Sequence, residues 1–194
     1  MAQYSFTKKM LIEESEKRST CKIGSIFEVG CGSGANLFLF EKNGYRTGGV
    51  DYSESLVKVA DNVLQSDDIT CNEAINIATS RKYDVVLSNS VFSYFPDIQY
   101  AEKVLDKCLN VAKYAIGLID IHDADRMGDF IEFRKREIAD YENLYRNLPK
   151  LFFSKSFFKS YAKRHSLDIV FTEGEMENYW NNGYVFDVFL YKNI

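Results

Sequence analysis

The stretch from Ile26 to Leu37 reads I-F-E-V-G-C-G-S-G-A-N-L, and it limits the possible folds more than any other part of the chain. Ser25–Val29 is a short apolar run, Gly30, Gly32 and Gly34 alternate behind it, and a helix is expected from Ala35. Alternating glycines let the backbone turn sharply and let a ligand approach main-chain atoms that a Cβ would shield. The helix that follows offers unpaired N–H groups and the positive end of its dipole. Glu28 lies two residues before the first glycine. A carboxylate there repels a pyrophosphate but attracts a cationic ligand.

Other glycine loops fit less well. A dinucleotide fingerprint G-x-G-x-x-G would need glycine at position 35, which is Ala35, and a phosphate-binding G-K-[ST] loop would need a lysine that is missing. The pattern E-x-G-x-G-x-G, Glu28 to Gly34, resembles the first motif of class I S-adenosylmethionine-dependent methyltransferases. That resemblance implies an α/β fold: a Rossmann-like, doubly wound, seven-stranded sheet of order 3-2-1-4-5-7-6 with the last strand antiparallel. It covers Ile23 to Lys192 and implies S-adenosyl-L-methionine as cofactor, with S-adenosyl-L-homocysteine as product.

Further segments fall where this fold needs them. Ala35–Lys42 is a helix closed by Asn43-Gly44, and Tyr45–Val50 a strand ending in Asp51. An acid about 20 residues past a glycine loop can accept both ribose hydroxyls, of NAD or of S-adenosylmethionine alike. The alternative, an N-cap acid, is weakened by Ser53, itself a good cap for a helix over Ser53–Gln65. Ile69–Cys71 is a short third strand. By resemblance, Glu73 and Ala74 after it border the adenine, though a solvated loop acid reads equally well.

Lys82–Asn89 is a buried strand, and Asp97–Ala112 a helix capped by Asp97. Ligands of open parallel sheets bind at the carboxyl ends of strands, which brings Ser88 to Tyr94 beside Gly30 and Asp51. The turn S-N-S-V-F-S-Y-F-P-D resembles the fourth methyltransferase motif, so Ser88, Asn89 and Ser90 are expected at the methionine end of the cofactor. Cys31 and Tyr52 complete the expected cofactor set. Many relatives carry two histidines where Ser93 and Tyr94 stand; the departure puts a base there in doubt, and Tyr94 is expected with His122 and Asp120 in the catalytic set, shaping the pocket.

A fifth strand, Lys113–Ile121, exits into Asp120-Ile121-His122-Asp123. His122 is one of two histidines, and the other, His165, sits in the polar K-R-H-S end of a helix. An imidazole at a strand exit can take a proton near neutral pH, with Asp120 or Asp123 setting its tautomer. The competing reading is a histidine that satisfies loop carbonyls. Asp125–Leu148 is a charged, aromatic insertion whose helical aromatic spacing reads as packing, and the resemblance implies a substrate lid at this place (124–153). Ser154–His165 is a helix, and Asp168–Thr172 and Tyr184–Tyr191 form a long hairpin whose tip carries Tyr179, Trp180, Asn181 and Asn182.

The chain's 194 residues, 46% of them hydrophobic, suit a single domain (1–194), with residues 1–22 as an N-terminal cap segment anchored by Tyr4, Phe6, Met10 and Leu11. A net charge of −4 and the lack of a long basic run make nucleic acid a poor partner. No apolar run reaches the roughly 18 residues of a membrane span. The N-terminus lacks a signal-peptide core, and four dispersed cysteines read as free thiols in a reducing cytoplasm with no zinc site. No metal site is expected: the acid-rich divalent-metal site of catechol-type enzymes is not evident, with Asp120 and Asp123 the only acids that stop short of excluding it.

The expected activity is methyl transfer to an oxygen of a small molecule, sugar or phosphate-type group, in a surface-glycan or natural-product pathway, by a monomer or homodimer. The N-P-P-Y signature of amide and amine enzymes is absent. The alternatives are an NAD-dependent oxidoreductase or epimerase, disfavoured by Gly34-Ala35 and by a missing Y-x-x-x-K pair, and a non-catalytic cofactor-binding module.

Overall fold

The computed structural model describes residues 6–173 and 179–193. Tyr4 and the hairpin stretch 174–178 lie outside them. The chain forms one seven-stranded sheet of order β3-β2-β1-β4-β5-β7-β6. Its strands are β1 (Ser25–Val29), β2 (Arg46–Asp51), β3 (Ile69–Cys71), β4 (Tyr83–Asn89), β5 (Ala112–His122), β6 (Leu167–Glu173) and β7 (Val185–Lys192). The first five are mutually parallel, and β7 runs antiparallel to both β5 and β6. The fold read from the sequence is therefore the fold observed.

Central parallel strands are covered on both faces and so are apolar throughout, as β1, with all five residues buried, illustrates. Successive side chains point to opposite faces. Phe27, Val86 and Ile116 pack beneath α4 (Ile98–Val111) with Val104 and Leu105, while Ile26, Val85 and Phe189 form the opposite core. That second core receives Leu11 and Ile12 from a π-helical turn, Lys8–Glu13, which runs into α1 (Glu14–Ser19). The described part of the N-terminal segment thus lies on the sheet, and Leu11 comes within 3.3 Å of where a Cβ on Gly117 would stand.

Helix starts follow local chemistry. Ser53 caps α3 (Glu54–Val63), Asp97 caps α4 and Ser154 caps α7 (Lys155–Arg164), each accepting a backbone N–H from three residues on. The insertion after β5 holds α5 (Met127–Glu137) and α6 (Tyr141–Tyr145). Phe130 is buried there against His122, Phe152 and Tyr184, and Phe133 stacks on Trp180.

Two register details position the site. Val29 pairs with Val50 on one side and Ser88 on the other, so the glycine loop, Asp51 and Ser90 emerge at the same sheet edge. On β5 the register against β7 shifts between Leu118 and Ile121, and Asp120 within that bulge has φ 64°. Bulges beside strand ends redirect side chains. The Asp120 N–H donates instead to Oδ1 of Asp187 at 2.9 Å.

Candidate active site

The loop between β1 and α2 (Ala35–Lys42) is built from its glycines. Gly30 has φ 73°, and a Cβ there would meet Val91 Cγ2 at 2.2 Å. Gly34 has φ 81°, and its Cβ would press on Leu64 at 2.8 Å. The Gly30 and Cys31 N–H groups both donate to the Val50 carbonyl, at 2.8 and 3.1 Å. The Gly32 N–H donates to Oδ2 of Asp51 at 2.8 Å, and Oδ1 of Asp51 accepts from Ser53 N–H at 2.9 Å. Asp51 therefore ties the loop to the start of α3, leaving each oxygen lone-pair capacity for another donor.

Glu28 lies beneath this loop. The Asn36 amide donates to its Oε1 at 2.7 Å, while Oε2 is buried with no partner. Burial, with the Asp51 charge adding to it, pushes the Glu28 carboxyl up to about 8 against the Asn36 hydrogen bond. A buried carboxylate oxygen without a donor is costly unless it is protonated or meets a cation. The loop thus fits a ligand that brings an ammonium group, and it offers no cation to a diphosphate.

A cavity of about 530 Å³ opens beside the loop. Among the residues expected to bind cofactor, Gly30, Asp51, Tyr52, Glu73 and Ala74 line it. Glu73 is exposed and accepts from the Tyr100 hydroxyl at 3.1 Å. The rest of the wall includes Val91 and Phe95, from the turn that the sequence placed beside Gly30, and Tyr100 and Leu148, which the sequence did not mark.

A second cavity, of about 200 Å³, lies over the ends of β4 and β5. Ser90, Tyr94, Asp120 and His122 line it, joined by Arg134 and Lys150 from the insertion and by Tyr179 and Trp180 from the hairpin. Tyr94 borders both cavities. Asp120 is buried and fully engaged: Oδ2 accepts from Ser90 Oγ (2.7 Å) and Tyr179 OH (2.9 Å), and Oδ1 from the Asn181 amide (2.9 Å).

His122 differs from expectation in two ways. Neither Asp120 nor Asp123 bonds to it. Asp120 is turned aside by the β5 bulge, and Asp123 caps the turn after β5 by accepting from Asp125 N–H. The amide of Asn181 stands between Asp120 and His122, 3.4 Å from Nε2, and Nδ1 is buried without a partner. Because that amide donates to Asp120, Nε2 is the accepting nitrogen and Nδ1 carries the proton, a tautomer assigned from the network. Burial among Phe130 and Phe152 also pushes the imidazole down to about 4, with Asp120 opposing and Lys150 and Arg134 assisting. It is neutral at neutral pH.

Several expected cofactor residues line neither cavity, Glu28 among them, buried beneath the loop. Cys31 buries its thiol against Gly49 and within the Leu37, Ala60 and Leu64 cluster, between two glycines of positive φ. Ser88 is spent on the Val29 carbonyl at 3.2 Å. Gly32 and Gly34 shape the loop from behind, and Asn89 ends β4. Asn181, fully buried with Oδ1 unpartnered, belongs to the hairpin tip that the sequence offered to the substrate, whereas Arg134 and Lys150 carried no sequence signal of a place in this cavity. Among the described residues no group of three or more His, Cys, Asp or Glu is placed to hold a metal ion, and no helix is long and apolar enough to cross a membrane.

Comparison with known proteins agrees with this geometry. Residues 27–114 match the family model described as a methyltransferase domain. The nonribosomal peptide synthetase dtxS1 of Metarhizium robertsii is 32% identical over 96 residues, which is 44% of this chain and 1% of that protein. The ubiquinone biosynthesis O-methyltransferase of Coxiella burnetii is 29% identical over 103 residues, 50% of this chain and 43% of that protein. The chain therefore spans less than half the length of these curated relatives. Among solved structures, the plantazolicin methyltransferase BpumL in complex with SAH superposes with a TM-score of 0.70 at 18% identity, over 94% of this chain and 81% of that one. Sheet order, glycine loop and matched segment together support the resemblance to class I S-adenosylmethionine-dependent methyltransferases: residues 27–114 match a methyltransferase domain, and the fold is shared with BpumL.

Proposed function

We propose that the chain binds S-adenosyl-L-methionine in the larger cavity and moves its methyl group to an oxygen of a small molecule held in the smaller one. The observation that carries this reading is the shared wall at Tyr94. A ligand site built on the glycine loop and a second site over β4 and β5 meet there, as a two-substrate transfer requires. Asp51 would hold the ribose hydroxyls and Glu73 the adenine amine from the cavity wall, while Glu28, buried beneath the loop outside that wall, would draw the ammonium of the methionine moiety through its unpartnered Oε2.

When bound, the cofactor supplies an electrophilic methyl on a sulfonium, transferred by in-line displacement. The chain's own contribution is alignment, worth several orders of magnitude in such reactions. Tyr94 shapes the passage between the cavities. The oxygen that gains the methyl loses a proton, and His122 Nε2 accepts it by giving up its long contact with Asn181. Asp120, across Asn181, favours the resulting imidazolium. Helices α5 and α6 act as the lid that keeps water out, and residues 1–22 as a cap segment of a single domain.

The acceptor is a small metabolite, sugar or phosphate-type group of a glycan or natural-product pathway, and the protein works as a monomer or homodimer. Four free cysteines suit a reducing cytoplasm. The test is incubation with labelled cofactor and a panel of hydroxylated metabolites. Label appearing on an oxygen supports the reading, while binding without transfer indicates a module, and label on nitrogen removes the oxygen assignment.

A further inference from the structure

The charges around the smaller cavity are unequally satisfied. Its one carboxylate, Asp120, already receives three hydrogen bonds from neutral donors. Its two cations are held mainly by aromatic faces. The Arg134 guanidinium lies 4.5 Å from the Trp180 ring centroid and 5.6 Å from that of Tyr145, with a long contact to the Tyr145 hydroxyl at 3.4 Å. The Lys150 ammonium stands 3.2 Å above the Tyr94 ring.

Among the described residues, neither cation has a carboxylate within ion-pair distance. Other cations of the insertion do: Lys135 pairs with Glu142 and Arg126 with Asp129. Arg134 and Lys150 are half-buried, and both depress the His122 imidazole, which places their fields inside the cavity. Aromatic faces hold a cation in place but leave its N–H donors open to an oxyanion. Because those faces are occupied by the protein's own cations, a cationic acceptor would meet repulsion.

We infer that the acceptor carries an oxyanion, a carboxylate or phosphate, which Arg134 and Lys150 read while its methyl-accepting oxygen faces Asp120 and His122. A cavity of about 200 Å³ is below the roughly 300–1,000 Å³ usual for drug-sized ligands, so the acceptor is about one ring in size. The inference rests on the smaller cavity being the acceptor site.

Trp180, the only tryptophan of the chain, lines this cavity and reports its occupancy by fluorescence. The probes are para-hydroxyphenylacetate, its neutral amide and the cationic tyramine, with phenyl phosphate as the second oxyanion. We expect an acid to bind about tenfold or more tighter than the amide and tyramine, with an affinity that falls as salt rises. Arg134→Gln and Lys150→Gln should each abolish the preference, and Arg134→Lys should restore part of it, while calorimetric affinity for S-adenosyl-L-homocysteine stays unchanged. Acids binding no tighter than the amide, failure of every probe at millimolar concentration included, overturn the inference. So does a preference that survives both Gln variants. Methyl transfer to neutral or cationic phenols in preference to acids would retain the transferase reading and lose the anion. Loss of cofactor binding in the unmodified chain would remove the transferase reading, with the fluorescence comparison still deciding the anion.

Discussion

Ser90 and Asp120 both have left-handed backbones, φ 59° and 64°, and face each other across neighbouring strand ends, with Ser90 Oγ donating to Asp120 Oδ2 at 2.7 Å. Non-glycine residues held there store strain that surrounding bonds must maintain, and Asp tolerates the conformation better than most. Asp120→Asn should therefore fold nearly normally while slowing turnover. Asp120→Ala should lose about 1–3 kcal/mol or more, because Ser90, Tyr179 and Asn181 lose their shared acceptor. Denaturant melts of the two variants make the comparison, and equal losses would show that Asp120 is not the hub of this cluster.

Glu28 gives a pH signature. Its carboxyl sits near 4.5 when unfolded and near 8 in the fold. Between those values folding takes up a proton, so its contribution to stability falls as pH rises from about 4.5 to about 8 and levels off outside that window. Glu28→Gln should flatten this slope. Cofactor uptake near neutral pH should release a proton from Glu28 as the ammonium pairs with Oε2, seen as a dependence of binding heat on buffer ionisation enthalpy. A slope unchanged in the variant would place the titration elsewhere.

Gly30 and Gly44 separate two costs of adding a Cβ. Both have positive φ, but only at Gly30 does the new atom collide, with Val91 at 2.2 Å, and at Gly44 nothing lies within 4 Å. Gly44→Ala should cost about 1 kcal/mol and spare cofactor affinity. Gly30→Ala should cost more and remove cofactor binding. Thermal melts with and without S-adenosyl-L-homocysteine check both.

Asp51→Ala should abolish cofactor binding, by about 10²-fold or more, and also lower the melting temperature, because Gly32 and Ser53 lose their acceptor. A variant that melts normally and still binds would remove Asp51 from both roles.

His122→Ala should spare cofactor binding and slow transfer by roughly 10²-fold. With the imidazole near 4 in the free protein, it is competent as a base above that pH, so kcat/KM should show no His122 limb between neutrality and pH values near 5. Unchanged turnover in the variant would remove His122 from the mechanism.

The sheet was legible because its central strands are apolar runs broken by glycines and helix caps, signals that act over neighbouring residues. Asp51 was legible from its distance to the glycine loop. The direction of Cys31 was not, since it depends on the positive-φ turn set by the glycines on either side. Nor were the left-handed backbones of Ser90 and Asp120, which no composition marks. The partners of Asp120 come from Tyr179 and Asn181, about sixty residues away, and Arg134 and Lys150 reach the cavity through tertiary packing alone. The place of the insertion after the fifth strand suggested a lid, but its charge and aromatic spacing did not mark which side chains form the binding wall.

The most direct test of the account is calorimetric titration of the chain with S-adenosyl-L-homocysteine and, separately, with NADH. The account predicts that S-adenosyl-L-homocysteine binds with one-to-one stoichiometry, that Glu28→Gln weakens it, and that NADH gives no heat. Binding of NADH, or binding of S-adenosyl-L-homocysteine that is indifferent to Glu28, would contradict it.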